Sequence, residues 1–288
     1  MVGSIIKNHA VIKTVLLTGL ALIAFAANSV LCRLALAEPL IDAGSFTVIR
    51  LLFGVLVLFL LLSLQQKPAA KNTKGSWSAS LMLFIYAATF SYAYISLDTA
   101  TGALILFSSV QITMLLYAVF SGVHLKWGEW VGLSLACSGF VYLMLPSATT
   151  PSLFGFLLMA LSGIAWAFYT LKGQGSKAPL WDTAFNFKRT IPMVLLLFIF
   201  SWKGAYYSYE GVVYAVLSGG IASAVGYTIW YAALASLSSI HAAVLQLLVP
   251  VIAALGGVLF VSEQITSQLV IAAALILGGI LLVMLKRN

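Results

Sequence analysis

The chain has 288 residues, of which 62% are hydrophobic and 8% are charged, and its formal net charge is +8. A soluble domain carries roughly 25% charged residues, so this chain cannot cover a water-facing surface and must be dissolved in lipid. The basic residues lie in short clusters between apolar runs, a pattern typical of membrane topology signals, which argues against a nucleic-acid-binding face.

Apolar runs of about 20 residues, long enough to cross a bilayer as a helix, recur along the chain with short links between them. We expect ten such spans and an all-α integral membrane protein, because no link is long enough to hold a soluble domain. The predicted spans cover residues 14–36, 43–64, 77–97, 100–121, 127–145, 152–171, 181–201, 210–234, 239–260 and 266–285.

Lysine and arginine are distributed unevenly between alternate links. If the N-terminus is cytoplasmic, ten basic residues fall in cytoplasmic segments, whereas the loops on the other side hold only Lys203. Basic residues are retained on the cytoplasmic side of a membrane. The distribution therefore predicts a multi-pass protein of the inner (plasma) membrane with both termini in the cytoplasm.

The two halves of the chain match at a constant offset of 139 residues, so that Arg50 falls on Arg189. A shared register over five spans indicates an internal repeat, which divides the chain into residues 1–146 and 147–288. Because five is odd, the second half enters the membrane from the opposite side. The sequence therefore predicts two inverted five-helix repeats, an architecture in which transporters bind substrate near the bilayer midplane.

Several motifs of the second half resemble those of the drug/metabolite transporter superfamily, and in particular its EamA-type exporters, the aromatic amino-acid exporters among them. They are Pro250 within LLVPVIAALGGVLFVSEQIT, Glu263 at the end of that run, and the glycines of LILGGILLVML. The resemblance implies a basket of spans 1–4 and 6–9 around a central cavity, with spans 5 and 10 outside. It also implies export of amino acids, other metabolites or drugs.

Three residues are candidate gating or hinge positions. Arg50 and Arg189 lie early in spans 2 and 7, where a symmetric pair would attract a carboxylate substrate; the alternative is snorkelling, or holding a neighbouring helix end through its carbonyls. Pro250 cannot donate a backbone hydrogen bond to Gln246 and is expected to kink span 9.

Aromatic side chains at helical spacing are candidates for the lining of the cavity, where their faces suit apolar side chains or an ammonium group. Ordinary packing and the interfacial aromatic belt are the alternatives. The candidates are Tyr86, Tyr92, Trp166, Tyr169, Tyr227, Trp230 and Tyr231.

Polar side chains inside spans must face the bundle interior or a partner helix. Asn28, Ser108 and Gln111 are the candidate hydrogen-bonding residues of the first half, and His241 and Gln246 those of the second half. His241 is interpreted either as a proton-linked gate or as an interfacial histidine.

No aspartate or glutamate lies deep in any predicted span, which disfavours proton-for-cation exchange through a central carboxylate. We expect a transporter that exports small metabolites, most readily amino acids, by alternating access. Multidrug, nucleoside, sugar-like or quaternary-amine export is the alternative within the same fold, and a channel is the alternative outside it. The histidines lack metal-ligand spacing and no catalytic motif is present, so we expect no enzyme, metal or cofactor. The expected partners are a small solute and the bilayer, and the expected functional unit is a monomer.

Overall fold

The computed structural model describes residues 2–65, 74–122, 124–146, 150–173, 176–234, 236–237 and 245–286. These residues form helices and connecting turns, and the β-type pairing among them is an isolated bridge between Ile41 and Tyr207. The predicted all-α class is therefore confirmed.

Twelve α-helices are described, together with a short 3₁₀ turn at Trp202–Gly204 and a π-helix at Ser218–Val225. The α-helices are α1 (Val2–Leu36), α2 (Ala43–Ser63), α3 (Trp77–Ala93), α4 (Thr99–Phe120), α5 (Trp127–Leu143), α6 (Leu153–Gly173), α7 (Pro179–Arg189), α8 (Ile191–Ser201), α9 (Tyr209–Leu217), α10 (Gly226–Leu234), α11 (Val249–Val261) and α12 (Ser267–Lys286).

Seven helical segments in the described part of the chain are long and apolar enough to cross a membrane, so the protein is a multi-pass membrane protein. They correspond to predicted spans 1, 2, 4, 6, 7, 8 and 10. Helices α3 and α5 have 17 residues each, and α11 has 13. The count of ten spans remains a prediction.

Two prolines set helix boundaries within the predicted spans. Pro192 stands in the first turn of α8 and separates it from α7, because proline cannot donate a backbone hydrogen bond and its ring displaces the carbonyl four residues earlier. Pro250 stands in the first turn of α11, where its missing N–H has no helical partner to lose. Residues 245–246 are helical, 247–248 form a turn and α11 begins at Val249, so the helix is interrupted just before Pro250. The kink of span 9 at Pro250 stays a prediction, because residues 238–244 lie outside the described part of the chain.

The helix ends gather at two opposite ends of the bundle. The upper end is defined here as the one where α1 ends and α2 begins, and the lower end as the one where α2 ends and α3 begins. Asp42, Ser76 and Ser208 cap α2, α3 and α9, each accepting a backbone N–H three residues later at 2.9, 3.1 and 3.0 Å. Such caps satisfy helix N–H groups that have no partner within the helix.

Helices α5 and α12 pack chiefly on each other. Their backbones approach closely where small residues face one another: a Cβ placed on Gly132 would lie 2.5 Å from the carbonyl oxygen of Gly279. Small residues allow this kind of contact between helices in lipid. The other helices can then surround an interior of their own.

Candidate substrate site

Two adjoining cavities occupy the middle and the lower half of the bundle, and they share the rings of Phe25, Trp166 and Tyr227. The middle cavity has a volume of about 20 Å³ and the lower cavity about 100 Å³. The middle cavity is also lined by Asn28, Tyr86, Phe90, Leu106, Phe107 and Ala222. The lower cavity is also lined by Thr170, Gly173, Trp230, Tyr231 and Gln246.

Trp166 of α6 is the centre of the aromatic lining. Its ring centroid lies 4.7 Å from that of Tyr86, 5.0 Å from that of Tyr227 and 5.4 Å from that of Tyr169. These tilted pairs bring together rings from α3, α6 and α10, as aromatic groups prefer. Helical spacing in the sequence therefore identified rings that lie next to one another in the fold.

A chain of hydrogen bonds runs behind the middle cavity. Ser218 donates to the side-chain oxygen of Asn28 at 2.6 Å, and Asn28 Nδ2 lies 3.5 Å from the hydroxyl oxygen of Tyr86. The same hydroxyl accepts a hydrogen bond from Arg50 Nη2 at 3.1 Å. Asn28 and Tyr86 line the cavity, so Arg50 is separated from it by a single side chain.

Arg50 is a buried cation, with 1% of its surface exposed. Its guanidinium carbon lies 4.9 Å from the centroid of the Phe90 ring and 5.3 Å from that of Tyr86, and Nη2 lies 3.4 Å from the hydroxyl of Ser223. Within the described residues, neither ion pair involves Arg50, and its Nη1 atom has no hydrogen-bond partner. The sequence placed this arginine early in span 2, and its position early in α2 agrees; its burial against α3 and the π-helix was not predicted.

The Ser218–Val225 π-helix was not predicted. A π-helix bonds residues five apart, so residues at that spacing share a face, whereas 3.6 residues complete a turn of α-helix and separate them. Ser218 and Ser223 are five apart, and they contact Asn28 and Arg50 respectively. Gly219 lies directly on α2, where an added Cβ would collide with the backbone carbonyl of Arg50. The paired glycines of SGGIASAV were the available signal.

An ion cluster at the upper end joins four helices. Arg33 of α1 contacts Glu263 at 3.1 Å and Asp98 at 3.2 Å, and it donates to the backbone carbonyl of Tyr94 at 3.2 Å. Both Glu263 oxygens accept the backbone N–H of Thr99 at 2.9 Å, so this carboxylate caps α4. The sequence placed these acids at helix ends but did not pair them with Arg33.

The chain reverses at Ser262 to bring Glu263 into that cluster. Ser262 has a φ of 58°, in the left-handed region, and it ends α11. Glu263 then folds back over Gly257, where a Cβ would lie 2.4 Å from its carboxylate. A bend of this kind, which a non-glycine residue adopts at a cost, is not apparent from hydropathy.

Bonds from side chains to backbone groups hold the lower end. Asp182 accepts the backbone N–H of Gly75 at 2.9 Å, and Asn186 accepts that of Ser76 at 2.8 Å. Arg189 donates to the backbone carbonyl of Lys74. Arg189 therefore holds the start of a neighbouring helix, which was the alternative interpretation of this residue, and it does not share the buried surroundings of Arg50.

Four predicted lining residues stand away from the two cavities. Tyr169 is buried and packs against Trp166, but it lines neither cavity. Tyr92 is half-buried beside Asp42 and Tyr206 in a separate upper-end cavity of about 330 Å³. Ser108 and Gln111 are buried on α4, and neither is among the residues that line the middle or lower cavity. Helix period predicts which residues share a face of a helix, but it does not predict whether that face lines a cavity or is covered by another helix.

Two further residues of span 9, His241 and Gln246, were predicted to contact the substrate. Gln246 lines the lower cavity, and its role in substrate binding stays a prediction. His241 lies outside the described residues, so its interpretation as a gate or an interfacial histidine stays open.

These features define a class: a helical multi-pass membrane protein with a small aromatic cavity enclosed between its helices. Residues 153–285 match the EamA-like transporter family. An uncharacterized protein of Pseudomonas aeruginosa is 46% identical over 275 residues, which is 96% of each chain. An uncharacterized transporter of Archaeoglobus fulgidus is 24% identical over 291 residues, covering 96% of this chain and 99% of that one.

The fold is similar to that of a protein solved by crystallography. The two structures superpose with a TM-score of 0.64 at 19% sequence identity, covering 93% of this chain and 96% of the other. The chain belongs to the EamA-like transporter family of the drug/metabolite transporter superfamily, whose members are transporters and not enzymes.

Proposed function

We propose that this protein exports small metabolites, most readily amino acids, by alternating access between two inverted repeats of five spans, residues 1–146 and 147–288. The observation that carries the proposal is the aromatic cavity, because both proposed halves line it. Phe25 and Tyr86 come from the first half, and Trp166 and Tyr227 from the second. A site between inverted repeats is open to one side or the other as the repeats rock.

Two matching contacts at opposite ends of the bundle support the inverted repeat. At the upper end, Asp42 at the start of α2 accepts the backbone N–H of Tyr206 at 3.1 Å. At the lower end, Asp182 near the start of α7 accepts the backbone N–H of Gly75. In each case an acid beginning the second span of one half holds the loop before the third span of the other half.

The proposed orientation places the lower end in the cytoplasm, together with both termini, in the inner membrane. The upper end, held by the Arg33 cluster, then faces outward. Of the two adjoining aromatic cavities, the larger lies toward the cytoplasm, lined by Gly173 and Tyr231 near the lower ends of α6 and α10. This arrangement suits the loading of a solute for export.

Transport of lipophilic or cationic compounds is the second candidate, since the same rings would hold an ammonium by cation–π attraction. The described helices carry no acid at the cavity to neutralise a bound cation. A neutral or zwitterionic metabolite therefore fits the lining better.

Efflux from preloaded membrane vesicles tests the proposal. Trp166→Ala and Tyr231→Ala remove two rings of the lining, and we expect each to reduce amino-acid efflux at least about tenfold, since a buried aromatic contributes more than about 1.4 kcal/mol. Trp127→Ala and Tyr209→Ala, which remove exposed rings away from the cavity, are the matched controls. Size-exclusion profiles establish that each variant folds. Unchanged efflux of every amino acid by both cavity variants would refute the aromatic site.

A further inference from the structure

The Arg50 guanidinium is a donor group without an acceptor of matching charge. Two hydroxyl groups and two ring faces surround it, and its Nη1 atom is unpartnered at 1% exposure. A guanidinium presents parallel N–H groups in the geometry that a carboxylate accepts, and it remains charged when buried. Leaving such a group without a counterion in a protein interior costs several kcal/mol.

We propose that Arg50 binds the carboxylate of the transported solute and that the π-helix Ser218–Val225 positions it for this task. The inference rests on the proposed function and narrows the substrate class to carboxylates that carry an apolar or aromatic body. The carboxylate supplies the missing counterion, and the rings around Trp166 contact the body. Recognition depends on the carboxylate and not on an ammonium group.

The positions of the neighbouring groups connect Arg50 with the cavity. Tyr86 touches the guanidinium through its hydroxyl and also lines the middle cavity, as do Phe90 and Asn28. The middle cavity has a volume of about 20 Å³, so the solute must displace one of these side chains to reach Arg50. Tyr86 is the candidate, since its hydroxyl occupies the acceptor position that a carboxylate oxygen would take.

The π-helix fixes the other side of the guanidinium. Ser223 reaches Arg50 and Ser218 reaches Asn28 because the π winding turns both hydroxyls toward α2 and α1. Gly219 brings the π-helix onto the Arg50 backbone. Ser223 is thus a positioning residue: it orients the arginine and does not need to touch the solute.

Three ligands of one shape but different charge test the proposal: L-phenylalanine, 3-phenylpropanoate and 2-phenylethylamine. Binding to the purified full chain in nanodiscs is measured by calorimetry. We expect both carboxylates to bind and the amine not to bind. Arg50→Lys keeps the charge but not the two-pronged geometry, and Arg50→Gln loses both. We expect losses of about 10- to 100-fold for the carboxylates, the range for one charge-assisted hydrogen bond.

Ser223→Ala tests the positioning role, with an expected loss of about three- to tenfold in carboxylate affinity and no gain in amine binding. Its matched control is Ser91→Ala, which removes a buried hydroxyl that bonds its own helix at Ala87. Arg189→Gln is the control for Arg50 and should leave all three affinities unchanged.

The proposal is overturned if the amine binds as tightly as the carboxylates, if neither carboxylate binds, or if Arg50→Gln leaves carboxylate affinity intact. Vesicle efflux separates this failure from failure of the proposed function. If Arg50→Gln still exports amino acids, the proposed transport function stands and the carboxylate site at Arg50 is refuted. If the wild-type protein shows no efflux, the proposed transport function itself is refuted.

Discussion

Two arginines of the first half, Arg33 and Arg50, occupy contrasting surroundings. The Arg33 side chain is 16% exposed at the upper end and contacts two carboxylates. Arg50 lies deeper, is almost fully buried, and contacts hydroxyls and ring faces. Asp98 and Glu263 thus join helix ends through Arg33, whereas Arg50, the more deeply buried arginine, has no acidic partner within the described residues.

The difference in partners distinguishes Arg33, whose charge stabilises the fold, from Arg50, whose charge is free to bind a ligand. Removing one partner of an ion pair leaves the other uncompensated, so each member contributes strongly to stability. An arginine without an acidic partner contributes less to folding, and replacing it by an apolar group of similar size costs little or is favourable. We therefore expect opposite effects on stability when the two sites are disrupted.

The largest expected effect is that of Glu263→Ala. The change leaves Arg33 with the more exposed Asp98 and removes the acceptor of the Thr99 N–H at the start of α4. We expect the free energy of unfolding to fall by about 2–4 kcal/mol, measured by denaturant titration in detergent micelles. Glu210→Ala, an exposed acid of the same end, is the control. A change within the error of that control would show that the cluster does not hold the upper end.

Arg50→Met should act in the other direction. Removal of the unpaired charge is expected to leave the free energy of unfolding unchanged or to raise it by about 1–2 kcal/mol, although carboxylate binding is lost. The same titration measures stability, and calorimetry measures binding. A loss of stability comparable to that of Glu263→Ala would show that Arg50 stabilises the fold as Arg33 does, and the two arginines would then not differ in role.

A smaller effect is expected for Arg33→Lys. Lysine retains the charge but cannot contact Glu263, Asp98 and the Tyr94 carbonyl through separate nitrogens at once. We expect a loss of about 1 kcal/mol in the free energy of unfolding. The thermal unfolding midpoint should fall between those of the wild-type protein and Glu263→Ala. A midpoint below that of Glu263→Ala would mean that Arg33 has a further role.

The smallest effect is expected for Arg189→Gln. This arginine is half-buried and bonds the Lys74 carbonyl, and the neighbouring Asn186 and Asp182 continue to hold the same segment. We expect a change of no more than about 1 kcal/mol in unfolding free energy and unaltered efflux. Strongly impaired efflux would restore the interpretation of Arg50 and Arg189 as an equivalent pair.

Hydropathy and helix period were sufficient to predict the class and most helix positions, because lipid imposes long apolar helices on any spanning chain. Helix period also selected Trp166, Tyr169 and Tyr227, and the ring of Trp166 contacts the rings of the other two in the fold. The burial of Arg50 was not predictable from its position in α2, since that burial depends on how the π-helix packs over it.

Local backbone geometry explains the remaining differences. The fold-back of Glu263 depends on the positive φ of Ser262, and the shared face of Ser218 and Ser223 depends on π winding. Neither conformation has a periodic pattern in the sequence. Pro250 was recognised as a helix-breaking residue, and the helical residues 245–246 are separated from α11 by a turn at 247–248.

The narrow centre of the bundle has a consequence for the integrity of the membrane. A volume of about 20 Å³ beside Asn28 and Tyr86 holds a single water molecule, for which a cavity of about 10–15 Å³ suffices. A cavity of that size cannot hold a column of water that joins the two compartments. In this conformation the middle cavity, as the described residues line it, therefore offers protons and ions no continuous path of water.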